Sequence, residues 1–106
     1  MRNLLFVCSQ NKLRSPTAEQ VFSTYPGVEA MSAGTNNDAV TPLGGELVEW
    51  ADVIFVMERS HLNKLRAKFK AYLNGKRVIC LDIPDEYEFM DPALVGLLQA
   101  KVGRYL

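Results

Sequence analysis

The stretch Leu4-Leu5-Phe6-Val7-Cys8-Ser9-Gln10-Asn11-Lys12-Leu13-Arg14-Ser15-Pro16 decides the fold. Its opening apolar run reads as a buried strand, and Ser15 followed by Pro16 reads as a helix N-cap and first helical position. The polar loop between them therefore sits on a helix N-terminus. Unpaired backbone N–H groups and the positive end of the helix dipole favour an anion there, and the same field favours the ionised form of a thiol. Cys8 closes the strand, and Arg14, six positions on, carries a planar fork that can grip two oxygens of a tetrahedral oxyanion. A lone cysteine at a strand end is commonly a buried small hydrophobe. Strand, Cys-x5-Arg, Ser, Pro and helix in that order point instead to a phosphate-handling site.

Working outward, strands and helices alternate along the chain. The first helix is expected over Pro16 to Tyr25, and Pro26-Gly27 leads to a second strand over Val28 to Met31. Thr41-Pro42 repeats the cap-and-proline arrangement and predicts a helix running towards Trp50, weakened by Gly44-Gly45. Asp52 to Met57 is the clearest central strand. Ser60 is the expected cap of a helix whose Leu62, Leu65, Phe69 and Tyr72 or Leu73 share one face before Asn74-Gly75. Arg77 to Leu81 supplies a fourth strand, and Asp91-Pro92 opens a last helix with Leu94, Val95, Leu98 and Val102 facing the core. Four strands each followed by a helix predict an α/β fold: a single three-layer domain over residues 1–106, with a four-stranded parallel sheet and helices on both faces. Ligands in such sheets bind beyond the carboxyl ends of the strands, where the strand order reverses beside the first strand. Cys8 falls at that edge, and the acidic segment after the fourth strand should hang over it.

Composition bounds the function. A chain of 106 residues with 48% apolar content leaves room for one core. The formal net charge is zero, so the molecule as a whole gives no strong case for nucleic acid or an anionic membrane as partner. The charge is unevenly placed: seven of twelve basic residues lie between Arg59 and Arg77, and five of twelve acids between Asp82 and Asp91. No apolar run is long enough to span a bilayer, no cleavage pattern follows Met1-Arg2-Asn3, and a cytoplasmic location is expected. Two distant cysteines, Cys8 and Cys80, form neither a disulfide framework nor a zinc pattern.

These residues resemble the low-molecular-weight protein tyrosine phosphatase family in a shortened form, over most of the chain. Cys8-x5-Arg14-Ser15 is similar to the family's phosphate loop, Ser32-Ala33-Gly34-Thr35 to the segment after its second strand, and Ala51 to Met57 to its third strand. Asp82-Ile83-Pro84-Asp85-Glu86-Tyr87 resembles the loop bearing its general acid. The resemblance implies a phosphotyrosine or related aryl phosphate substrate, small or carried on a protein, hydrolysed through a phosphocysteine intermediate. Cys8 would be the nucleophile, and residues Ser9, Gln10, Asn11, Lys12, Leu13, Arg14 and Ser15 would bind phosphate. Ser15 would hydrogen-bond the sulfur and Asn11 would brace the loop. No metal or other cofactor is required for these steps.

A carboxylic acid must protonate the leaving oxygen and later activate water. The only Asp-Pro is Asp91-Pro92, but an N-cap role accounts for Asp91, and Asp85 has the family's loop spacing. Asp85 is therefore favoured, with Asp91 second, and Tyr87 and Phe89 are candidates for the substrate rim. The chain departs from the family at Gln10, where the family has glycine, at Leu13, where many members have a second cysteine, and at Glu86, where the family has proline. Cys80 reads as a buried small hydrophobe and His61 as an exposed residue in a helix's first turn. Trp50 reads as core, and the basic run from Lys64 to Arg77 as a solvated helix face. Two other functions fit the same loop: a phosphate-binding or regulatory module that turns over poorly, and a thiol-dependent arsenate reductase, for which Cys80 is the only further thiol.

Overall fold

A computed structural model describes residues 1–106. Strand β1 (Arg2–Cys8) leads to α1 (Arg14–Phe22), β2 (Val28–Gly34), α2 (Gly45–Trp50), β3 (Val53–Val56), α3 (Arg59–Phe69), a 3-10 turn (Lys70–Tyr72), β4 (Arg77–Cys80) and α4 (Pro92–Gly103). All pairings are parallel, in the order β2-β1-β3-β4, so the order reverses beside β1. The expected three-layer parallel α/β fold is the one observed.

β1 is central because both its faces are apolar. Leu4, Phe6 and Cys8 join a layer with Phe22 of α1 and Leu94, Leu98 and Val102 of α4. Leu5 and Val7 face the other way, against Val48 of α2 and Leu62 and Leu65 of α3. Phe6 stacks between Phe22 and Phe55, with ring centroids 5.5 and 5.3 Å away, which anchors the strand that ends in Cys8. Parallel pairing brings the carboxyl ends of β1 and β3, and the loops that follow them, to one edge.

Several local expectations give way to tertiary partners. α1 begins at Arg14, two residues earlier than Ser15 as cap would allow, with Leu13 at the cap position and the Ser15 hydroxyl turned to the Cys8 sulfur instead. Pro16 still falls in the first turn, where a backbone N–H has no intrahelical acceptor to lose. Thr41-Pro42 does not open a helix: Gly34 N–H donates to the Thr41 carbonyl at 2.9 Å and Leu43 N–H to the Gly34 carbonyl at 2.8 Å, so this segment extends the end of β2 and α2 starts at Gly45. β2 itself runs on to Gly34, beyond Met31. The cap of α3 is Glu58 and not Ser60, and the helix tightens into the 3-10 turn after Phe69. Asp91 caps α4 as expected, its carboxylate accepting from Ala93 N–H at 2.9 Å.

Candidate active site

The loop from Cys8 to Arg14 is held by its carbonyls. Those of Cys8, Ser9 and Gln10 accept from the N–H groups of Thr35, Asn36 and Val40 at 2.9, 3.0 and 3.0 Å. Turning three successive carbonyls outward leaves the opposite, N–H side of the loop facing inward. The N–H groups of residues 9–13 donate to no other protein group, so they are left as free donors at the start of α1, a cradle of the kind that suits an anion. Asn11 adopts φ 59°, the left-handed conformation that Asn tolerates better than most residues, and its Nδ2 donates to Ser15 Oγ at 2.9 Å and Ser32 Oγ at 2.8 Å. Gln10, at the family's glycine position, lies outside the positive-φ residues and strains nothing. Gly34 is needed by contact: a Cβ there would stand 2.5 Å from the Ser9 carbonyl oxygen and 2.6 Å from the Ala39 Cβ.

Cys8 is buried at the cradle's base, its sulfur 2.9 Å from Ser15 Oγ. Ser15 Oγ already accepts from Asn11, so its own proton has two acceptors within reach, the Cys8 sulfur at 2.9 Å and the Ala33 carbonyl at the longer 3.5 Å, and a thiolate at Cys8 would draw it to sulfur. Arg14 is 3% exposed, and one Nη donates to Glu58 Oε1 and to the Ile83 carbonyl, the latter at 2.7 Å. Its Nε and other Nη have no hydrogen-bond acceptor, which leaves two adjacent donors for a pair of oxygens. Asp85 Oδ1 lies 3.8 Å from Arg14 Nε at the mouth, with its side chain 65% exposed.

Cys8, Ser9, Gln10, Lys12, Leu13, Arg14 and Asp85 line one pocket of about 140 Å³, room enough for a phosphoryl group. The fold thus brings together the expected nucleophile, arginine, cradle and Asp85. Tyr87 and Phe89 do not line this pocket: Tyr87 packs on the α1/α4 layer and Phe89 stands 48% exposed. Asp91 is engaged at the α4 terminus. The loop bearing Asp85 is tied down at both ends, by Ile83 N–H to the Met57 carbonyl at 2.8 Å and by Met90 N–H to Thr17 Oγ1 at 2.9 Å.

Two residues of this site escaped the sequence reading. His61 is 1% exposed, contrary to the expectation of an exposed residue. Its Nδ1 accepts from Glu58 N–H at 3.0 Å, so the ring proton lies on Nε2, which meets Ser9 Oγ at 2.8 Å. Burial first, and the Arg14 charge second, lower its pKa to about 4. Glu58, directly after Met57 at the central sheet edge, holds Arg14. The signal for both was the Glu-x-x-His spacing at a helix start, a capping arrangement. Cys80 is half-buried and not core; its thiol donates to Asp82 Oδ1 at 3.4 Å, and burial raises its pKa. It lines a separate cleft with Lys101, Arg104 and Tyr105.

Solved structures align over nearly all of this chain. YwlE arginine phosphatase from Geobacillus stearothermophilus matches with a TM-score of 0.80 at 22% identity, covering 99% of this chain and 90% of that one. The fold is that of the low-molecular-weight protein tyrosine phosphatases. The low-molecular-weight protein tyrosine phosphatase from T. tengcongensis covers 100% of both chains at 23% identity and a TM-score of 0.77. The tyrosine phosphatase Wzb from Escherichia coli, solved in complex with phosphate, aligns with a TM-score of 0.79 at 21% identity, over 97% of this chain and 94% of that one. No family model and no curated protein matches the sequence. This low-molecular-weight phosphatase fold carries no helix long and apolar enough to cross a membrane.

Proposed function

We propose that the chain is a cysteine-dependent phosphomonoesterase of the protein tyrosine phosphatase type, acting on phosphotyrosine or a related aryl phosphate. The observation that carries this reading is the placement of the Cys8 sulfur, 2.9 Å from Ser15 Oγ, in one pocket with the free loop N–H groups, Arg14 and Asp85.

The chemistry follows from those positions. The Cys8 thiolate attacks phosphorus in line and forms an S–P bond as the P–O bond to the leaving group breaks. Arg14 and the loop N–H groups hold the three equatorial oxygens, whose charge is greatest at the transition state. Asp85, as the acid, gives its proton to the leaving oxygen. Water then attacks the phosphocysteine, Asp85 takes the proton back, and the S–P bond breaks to return the thiolate, stabilised by the Ser15 hydroxyl. The Glu58 carboxylate keeps Arg14 aligned while the cradle is empty, leaving two donors pointed at the incoming oxygens.

Hydrolysis of p-nitrophenyl phosphate in the presence of chelator tests the reading. Turnover by the parent protein and its loss in Cys8→Ser support it. A folded parent that binds phosphate or vanadate without turnover makes the protein a binding module and overturns it.

A further inference from the structure

On the outward side of the cradle loop lies a second cleft of about 380 Å³, lined by Thr35, Asn36, Asn37, Lys64 and Lys68 and by no apolar residue. We propose that this cleft is a second oxyanion site, one that takes a phosphoryl group, either as free phosphate or on a phosphorylated peptide.

Its donors are arranged for an anion. Lys64 Nζ stands 3.3 Å from Asn36 Oδ1, and Lys68 Nζ 3.4 Å from Asn37 Oδ1. An ammonium can only donate, so each amide must present oxygen to its lysine, which turns both Nδ2 groups away as free donors. Lysines one helical turn apart on α3 repel each other and are normally offset by carboxylates. Neither is: the protein's ion pairs are those of Arg14 with Glu58 and Asp85, and Asp38, next in the loop, pairs with neither lysine. The hydroxyl of Thr35 is the one buried side-chain polar atom in the molecule without a hydrogen-bond partner. Such groups are rare because burying one unpaired is costly; the hydroxyl is closed to solvent, and a turn of the Thr35 side chain towards an oxyanion in the cleft would supply the missing acceptor. Two cations, two amides with free Nδ2 donors and a threonine with an orphaned hydroxyl thus line one cleft whose walls carry no carboxylate.

The site is also coupled by position to the cradle. The N–H groups of Thr35 and Asn36 hold the Cys8 and Ser9 carbonyls. The two sites share this backbone, back to back, while their ligand-binding groups are separate.

Amide NMR of the parent protein and of Lys64→Ala/Lys68→Ala tests the proposal, with inorganic phosphate titrated at constant ionic strength. Both lysines are exposed, so the double variant should fold. In the parent, the side-chain amides of Asn36 and Asn37 should shift on a saturation curve distinct from that of the backbone of residues 9–14. In the variant that curve should weaken by at least about tenfold while the cradle curve stays, since each lost charged hydrogen bond is substantial. Asn36 and Asn37 shifts that merely track the cradle curve in both proteins, or that sodium chloride reproduces, overturn the site. A cleft curve without a cradle curve keeps this site and counts against the phosphatase reading. A doubly phosphorylated peptide binding tenfold tighter than its singly phosphorylated form, only in the parent, assigns the site to substrate. Equal peptide affinities with a saturable phosphate curve assign it to free phosphate.

Discussion

The imidazole Nε2 of His61 stands 2.8 Å from the hydroxyl of Ser9, the first residue of the anion cradle. With Nδ1 occupied by Glu58 N–H, the neutral ring donates to Ser9 and leaves the Ser9 proton free to point at a ligand. The arrangement needs a neutral His61, and its lowered pKa of about 4 provides that at neutral pH.

Stability should therefore fall on acidification in a defined window. The folded value lies below the ordinary 6.5, so between the two the unfolded chain binds more protons and stability rises with pH. The contribution is complete above about pH 6.5 and is lost progressively towards pH 4, roughly 3 kcal/mol in all. Urea unfolding at several pH values should show this slope in the parent and a shallower one in His61→Gln. Equal slopes would remove His61 as the cause.

Ser15→Ala should slow turnover while the protein stays folded. It removes the hydroxyl 2.9 Å from the Cys8 sulfur and one of the two partners of Asn11 Nδ2. Losing one hydrogen bond to a charged group costs on the order of 2 kcal/mol, so kcat should drop by about tenfold or more. Unchanged kcat would mean that the contact does not reach the thiolate.

Gly34→Ala should damage the cradle from behind. Its Cβ would meet backbone and a packed methyl, the Ser9 carbonyl oxygen at 2.5 Å and the Ala39 Cβ at 2.6 Å, and neither can swing aside. Overpacking of this kind costs about 1–3 kcal/mol, and the displaced Ser9 should weaken phosphate binding as well. Thermal melting with and without phosphate reads both. An unaltered melting temperature and an unaltered phosphate-induced rise would show that the loop does not need the close approach.

What the sequence disclosed and what it hid divide along a physical line. Cys8, Arg14 and the Asp91 cap were legible because short-range geometry determines them: a strand end, a Cys-x5-Arg spacing, an Asp-Pro at a helix start. The parallel sheet was legible because the apolar runs of β1 and β3 admit burial on both faces. Thr41-Pro42 misled because its alternative partner, Gly34, is brought beside it only by the fold. His61 reads as exposed because a first-turn histidine is ordinarily solvated, and nothing local reveals that the Ser9 hydroxyl meets its ring. Tyr87 and Phe89 share the loop that bears Asp85, and nothing local reveals that Tyr87 packs on the α1/α4 layer while Phe89 stays exposed.

The two aspartates should separate cleanly by substitution. Asp91 caps α4 through Ala93 N–H, so Asp91→Ala should cost about 1 kcal/mol of stability and leave turnover per folded molecule near the parent value. Asp85 touches only the mouth, 3.8 Å from Arg14 and largely exposed, so Asp85→Asn should leave the melting temperature nearly unchanged. Turnover should nonetheless fall by about a hundredfold, the usual scale for loss of a general acid. The loss should be smaller for substrates whose leaving oxygen is already a weak base and needs little protonation, so p-nitrophenyl phosphate should suffer less than phenyl phosphate. A hundredfold loss in Asp91→Ala with none in Asp85→Asn would move the acid to Asp91, and equal losses on both esters would remove Asp85 from proton transfer to the leaving group.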